Sequence, residues 1–427
     1  MMGIQPDTKH KLYHNILIIG GASNFSDQPD SLLRPRNLSG DSYMDFKLSK
    51  SQKEIQKAAW EFAKGEFDKE TIIDLSKEQK IPDHIVRKCG ELGFIGIHFA
   101  EEFDGGGMGL FEHVLVCETF CRKDSTLGSA LMFSGYAAEC LLQNGDKKLK
   151  EKILPQIVDG RLTSTGAFLE PEQGYDLTRI STTAETDEDN IVINGKKILV
   201  PSAAAAGVYV VLCQTDAGAE PKTAGMSLIL VDAQNVGITV DNIRQNLGSR
   251  MIPFADITFD NVRVPASHLI GNPGSGYGLA QNFFTENRIQ IAAQALGTAQ
   301  GAFDRALDYV KQREQFGRKL AQFQITRHKL ADMASKIAAA RFLTYHAAWC
   351  FDNKKIEPQQ ASMAKMTAAR AALEVADEAI QLLGGYGYMT EYEVEHFFRD
   401  AKMAEIFQGP PGIQKDIIAD GIIGKLK

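Results

Sequence analysis

Three regimes of hydrophobic spacing follow one another along this chain of 427 residues. From Met44 to about Gln156 apolar residues recur at helical spacing, as Ile55, Ala58, Ala59 and Phe62 do, and Pro82-Asp83 has the form of a helix start before residues 84–92. Gly105-Gly106-Gly107 reads as a loop. Helices are expected over about 109–122 and 127–143, with a third ending at Pro155. The period shortens at about residue 162. Ile191-Val192-Ile193, then Asn194-Gly195, then residues 196–200 predict a hairpin, because Asn-Gly supplies the two positive φ angles of a type I′ turn. Apolar runs at 208–213, 228–231, 238–240 and 257–259 predict further short strands of a small sheet or barrel. Beyond Gly274 long helical stripes return: Ile289, Ala292, Leu296, Ala299, Phe303, Leu307 and Val310, then Leu330, Met333, Ile337, Tyr345 and Trp349, then Met363, Met366, Leu373, Ala376, Ile380 and Leu383. Long helices joined by short loops predict an up-down bundle.

Composition narrows the class. With 44% hydrophobic and 24% charged residues the chain reads as a soluble globular protein of two or three domains. Its 54 acidic and 47 basic residues leave a net charge of −7, and no basic stripe marks a nucleic-acid surface. No apolar run reaches the roughly 18–20 residues that span a bilayer. Residues 15–21 lack the flanks of a secretory signal, so a cytoplasmic protein is expected. The first 43 residues, rich in Asp, Ser, Asn and Pro, read as a poorly ordered arm. Gly20-Gly21 there does not belong to a G-x-G-x-x-G pattern. Cysteines 89, 117, 121, 140, 213 and 350 are scattered, and only 117 and 121 are close. No His or Cys completes a ligand set with them, so reduced buried thiols and no metal are expected.

Five segments carry the chemistry. Arg313-Glu-Gln-Phe-Gly-Arg-Lys with the later Gln324, the run Gln381-Leu-Leu-Gly-Gly-Tyr-Gly-Tyr, residues 170–176, Leu199-Val200-Pro201, and residues 406–414 (Ile-Phe-Gln-Gly-Pro-Pro-Gly-Ile-Gln) together resemble the FAD-dependent acyl-CoA dehydrogenase family over about residues 44–425. The resemblance implies an α+β fold: an N-terminal all-α domain at 44–161, a central small β-domain at 162–273, and a C-terminal four-helix bundle at 274–427. It implies FAD held by Arg313, Phe316, Gln324, Gln381, Gly384 and Gly385. Guanidinium suits phosphate oxygens and paired glycines allow close backbone approach. It places Leu169, Gly174, Tyr175, Leu199, Pro201, Pro410 and Gly412 along the flavin, with Tyr175 and Arg288 at the substrate.

The departures from the family pattern cluster around the flavin. Leu169 stands where a threonine is usual, Tyr175 for a serine, Leu199-Val200-Pro201 for Trp-Ile-Thr, and Pro410 and Gly412 for a threonine and a glutamine. Proline provides no donor. Gln408 occupies the place of the family's catalytic glutamate, and a carboxamide cannot accept a proton near neutral pH. Asn287, just before Arg288, is a second neutral amide at an alternative position for the base. Glu286 lies one step further round the helix, as a candidate base or as a solvated helix charge. Three readings stay open. One is an FAD enzyme acting on an acyl thioester, on CoA or a carrier protein, by atypical proton chemistry. Another is a non-catalytic subunit paired with an active relative in a hetero-oligomer, and a third is a flavin oxygenase. The resemblance implies electrons exchanged with an electron-transfer flavoprotein and a homo-oligomer, dimer or tetramer.

Overall fold

A computed structural model describes residues 47–424, so the expected N-terminal arm, with Gly20-Gly21, lies outside the described residues. Helix α1 (Lys50–Glu66) opens on a capping box: the Ser49 hydroxyl accepts the Gln52 N–H while the Gln52 side chain accepts the Ser49 N–H. It is followed by α2 (Lys69–Glu78), capped by Asp68, and α3 (Asp83–Glu91). Then come α4 (Leu110–Lys123), α5 (Ser125–Met132), α6 (Ala138–Asn144) and α7 (Lys147–Val158). Phe62, Phe94 and Phe120 meet at 5.4 Å between ring centroids and knit α1 to α4.

The stretch expected as one helix over 127–143 is two helices. Ser134 is drawn out of the helix because its carbonyl accepts the Ser164 N–H, and Gly135 bridges Ser164 of the first strand. Ala137 takes up the reversal at φ 69°. This break lifts Tyr136 out of a helical stripe and into the centre of the molecule. Pro155 does not end its helix, which runs on to Val158, since in the last turn it costs a single missing N–H.

Eight strands form one sheet: β1 (Ser164–Ala167), β2 (Thr183–Asp187), β3 (Asn190–Pro201), β4 (Val208–Gln214), β5 (Met226–Asp232), β6 (Ile238–Asp241), β7 (Phe254–Pro265) and β8 (Leu269–Ile270). Their order is β6-β7-β3-β2-β4-β5-β8, with β1 parallel to β4. The expected hairpin at Asn194-Gly195 is a misplaced turn. The reversal lies six residues earlier, at Glu188-Asp189, where Asp187 pairs Asn190 and Glu188 sits at φ 54°. Gly195 instead occupies a register irregularity inside one continuous strand, because a Cβ there would stand 2.5 Å from the Thr182 hydroxyl.

The last third is helical: α8 (Gly276–Gln312), α9 (Gln324–Asp352), α10 (Pro358–Leu383), α11 (Val394–Ile406) and α12 (Pro411–Ile423). Every residue of α8 from Phe283 to Ala299 is buried, because this stretch packs on the N-terminal helices, on β4 and β5, and on α10. No described helix is long and apolar enough to cross a membrane. All six cysteines are buried and unpaired, as expected.

Candidate active site

Where the sheet, the break before α6, the start of α8 and the α11–α12 turn converge, a cavity of about 500 Å³ opens. Its walls are mostly rings and aliphatic side chains: Tyr136, Phe168, Leu199, Phe254, Phe284 and Phe407. Polar groups are few, which is the usual composition of a small-molecule site. Tyr136 and Gln408 look inward, and Arg399 and Lys402 stand at the α11 edge.

Gln408 is held from behind. It follows α11 at φ 55°, a left-handed conformation in a tight turn. Its carbonyl accepts the Gln414 amide at 2.9 Å and the Arg288 Nε at 3.3 Å, and the next carbonyl, of Gly409, accepts Lys365 Nζ at 2.8 Å. Lys365 also reaches the Glu405 carbonyl, tying α10 to the turn. Burial first, and the neighbouring Arg288 second, lower the Lys365 ammonium to about 7. Arg288 is itself 2% exposed, and no carboxylate pairs with it among the described residues. Two buried cationic groups therefore flank the turn.

In front, the Gln408 side chain is 5% exposed and bound by two phenols. Its Nε2 donates to Tyr136 Oη at 2.6 Å, and its Oε1 accepts from Tyr175 Oη at 3.5 Å. Tyr136 is wedged between Phe133, Phe283 and Phe407, with centroids 5.2–5.7 Å away. Burial above all pushes its hydroxyl well above the usual tyrosine value. Tyr175 is pushed up by burial and pulled back by Arg288.

Of the residues singled out in the sequence, Leu169, Gly174, Tyr175, Leu199, Pro201, Gln408 and Pro410 line this cavity together. Arg313, Gln381, Gly384 and Gly385 do not. They line a separate open cleft of about 540 Å³ with Tyr309, Gln315 and Tyr386. Phe316 lies beside that cleft's Arg313 and Gln315 in sequence and is 93% exposed, while Gln324 begins α9 and Gly412 is exposed in the first turn of α12. Arg288 reaches the Gln408 carbonyl from behind and is absent from the cavity wall.

Glu286 needs correction on both counts. It is neither at the cavity nor solvated. Its carboxylate is 2% exposed, accepts Gln143 Nε2 at 2.8 Å, and faces Glu139 and His98. Burial first and Glu139 second push it well above the usual carboxylate range. One helical step from Asn287 carries it to the N-terminal helices rather than toward the turn.

Sequence reasoning missed Tyr136, Phe168, Phe254, Phe284 and Phe407. The one usable signal was Ser134-Gly135 ahead of Tyr136, a breaker inside an otherwise helical run. The walls suit a flavin ring in polarity. The cavity is apolar and ring-lined, and an added Cβ at Gly384 or Gly385 would meet nothing within 4 Å, leaving backbone open for a diphosphate. Leu199 and Pro201 put no side-chain donor on their wall, and the Leu199 N–H is already given to Asp256 at 3.3 Å. Behind that wall Glu170 is tied to Lys197 at 2.8 Å and to Ser181 at 2.6 Å. Burial alone would raise Glu170, but the Lys197 ammonium together with the Ser181 and Thr182 donors outweighs it and holds the carboxyl at about 2.

Three family models match: "Acyl-CoA dehydrogenase, N-terminal domain" over residues 49–161, "middle domain" over 166–262, and "C-terminal domain" over 274–423. The chain is 33% identical to a short-chain specific acyl-CoA dehydrogenase of Clostridium acetobutylicum, covering 89% of this chain and 100% of that one. It is 35% identical to an acryloyl-CoA reductase (NADH) of Anaerotignum propionicum, covering 88% and 95%. Among solved structures, a chain from work on the electron transferring flavoprotein of Acidaminococcus fermentans superposes with TM-score 0.86 at 33% identity, covering 90% of this chain and all of that one. PigA with FAD and proline superposes with TM-score 0.83 at 26% identity, covering 89% and 99%.

Proposed function

The chain belongs to the acyl-CoA dehydrogenase family and is an oxidoreductase of that family, and from this premise we propose that it works on an acyl thioester in the reductive direction, with Tyr136 rather than residue 408 handling the α-proton. Leu169, Leu199, Pro201 and Pro410 would hold the ring of an FAD, and Arg313, Gln381, Gly384 and Gly385 of a neighbouring copy would hold its diphosphate. When bound, the flavin exchanges a hydride equivalent with the β-carbon of the thioester.

The observation that carries the reading is the direction of one hydrogen bond. Gln408 Nε2 donates to Tyr136 Oη, so the phenolic oxygen is an acceptor there and its own proton is left for whatever lies in the cavity. A glutamate at 408 would instead accept that hydroxyl's hydrogen bond and turn it away from the cavity. The high pKa of Tyr136 keeps it protonated, so it serves as a donor to the α-carbon of an α,β-unsaturated thioester and poorly as a base toward a saturated one. After transfer, the Gln408 amide steadies the phenolate, and a proton from water restores it. Arg288 and Lys365 favour the negative charge that develops on the thioester oxygen. The relative 35% identical over 88% of this chain is named as a reductase, which supports that direction. The relatives also support an electron-transferring flavoprotein as electron source.

The test is an anaerobic single-turnover assay, in which pre-reduced enzyme meets short-chain enoyl-CoA esters. Tyr136→Phe should slow reoxidation by about 10²–10⁴ while leaving the flavin spectrum intact, the usual worth of a positioned acid. An unchanged rate in a yellow, folded variant removes Tyr136 from the reaction.

A further inference from the structure

A second polar centre is buried on the far side of α8 from Gln408, in a place the cavity does not reach. His98, in the connection from α3 to α4, points its Nε2 between Glu139 of α6 and Glu286 of α8. The distances to their Oε1 atoms are 3.7 and 3.8 Å, and the three side chains are 3–6% exposed. Neither carboxylate has a Lys or Arg partner among the described residues. His113 of α4 stacks edgewise on His98 at 4.4 Å between centroids, and all four ring nitrogens of the two histidines lack a hydrogen-bond partner, as does Glu139 Oε2.

Two buried carboxyl groups without a Lys or Arg are costly as anions, so the empty site keeps Glu286 protonated, and a bound ion would displace that proton. A proton on His98 is a poor remedy, because a charge-assisted bond closes to about 2.7–2.9 Å. Here the nitrogen stands equally far from both oxygens, too far to bond either. That spacing suits two ligands of one ion: with bonds of about 2.1 Å, atoms 3.7–3.8 Å apart subtend roughly 120–130° at the metal. One ligand atom from each of the three residues lies within 4.8 Å of the others. The supporting groups are in place as well. Gln143 Nε2 donates to Glu286 Oε2, Gln290 Nε2 donates to Glu139 Oε1 at 3.0 Å, and Asn287 in turn donates to Gln290 at 2.8 Å. Gln143 is exposed and offers an access route.

We propose that His98, Glu139 and Glu286 bind one divalent transition-metal ion. One imidazole and two carboxylates suit Zn²⁺, Mn²⁺ or Fe²⁺ better than a fully hydrated Mg²⁺. The site replaces the expectation of a metal-free chain. Glu139 lies three residues beyond Tyr136, and Glu286 two residues before Arg288, so the ion braces both walls that meet at Gln408. Its existence does not depend on the reaction assigned to that cavity.

The experiment uses the full chain. Metal content is measured as purified. It is measured again after chelation and re-addition of Zn²⁺, Mn²⁺ or anaerobic Fe²⁺ separately, alongside thermal unfolding and the electron paramagnetic resonance spectrum of bound Mn²⁺. About one ion per chain, a higher melting temperature with metal, and at least tenfold weaker binding in His98→Leu and Glu139→Gln are expected. Should either variant fold poorly, the wild-type stoichiometry and the Mn²⁺ spectrum decide alone. Wild-type protein that holds none of the three ions, or variants that bind as well as wild type, overturn the proposal.

Discussion

Residue 408 shows how a single amide reverses the proton logic of a site. A carboxylate beside Tyr136 would accept a hydrogen bond from the phenol; the Gln408 amide donates one to it instead, at 2.6 Å. Gln408→Glu should therefore raise flavin bleaching by a saturated short-chain acyl-CoA by about 10² or more, the scale of a positioned general base, and should lower enoyl-CoA reduction. Stopped-flow spectra in both directions measure the two effects on one preparation. A variant that gains neither oxidation nor loses reduction shows that 408 does not touch the reacting carbons. The sequence exposed the missing carboxylate at once, because the motif around it is contiguous. It could not expose Tyr136, which lies 272 residues away in the chain and arrives only through the strand pairing at Ser134 and Ser164.

At the scale of elements, the turn between α11 and α12 is held by a lysine that would rather be neutral. Lys365 titrates at about 7 in the fold against 10.5 for an unhindered lysine, so folding disfavours its protonated form. Below pH 7 both states carry the proton and the full penalty is present; between pH 7 and 10.5 the unfolded chain binds more protons, and stability rises with pH. The melting temperature of the wild type should climb between pH 7 and 9.5. In Lys365→Met that slope should flatten, since the ammonium is gone. Parallel curves for the two proteins would remove Lys365 as the source. Helix existence was legible in the apolar stripes of α8, α9 and α10. The split between α5 and α6 and the bulge at Gly195 were not, because each answers to a contact with a distant segment, Ser164 or Thr182.

For the whole molecule, the residues that the resemblance assigns to a flavin fall into two places. Leu169, Gly174, Tyr175, Leu199, Pro201 and Pro410 line the central cavity, and Arg313, Gln381, Gly384 and Gly385 line a separate cleft beside the exposed Phe316. A large ring at 93% exposure is expensive in water, and a second copy covering this face would bury it and close the cofactor site. Phe316→Asp should accordingly shift the chain toward monomer in light scattering and lower the flavin content together. Loss of flavin with an unchanged mass would place Phe316 at the cofactor alone, and no change in either would reject the shared site.

Contiguous patterns were decided by the chain alone: the order of helices, sheet and helices, the phosphate-suited Arg313 and glycine pair, and the amide at 408. These depend on neighbours in sequence, where spacing and residue type speak directly. Folding decided what depends on pairs far apart. It turned Gln408 toward two phenols, set Arg288 behind the site, and moved Glu286 from a supposed solvated face into a pocket with His98 and Glu139. The physical reason is the same in each case. Burial and hydrogen-bond direction give these groups their chemistry, and both are properties of the packed chain, which linear spacing does not encode.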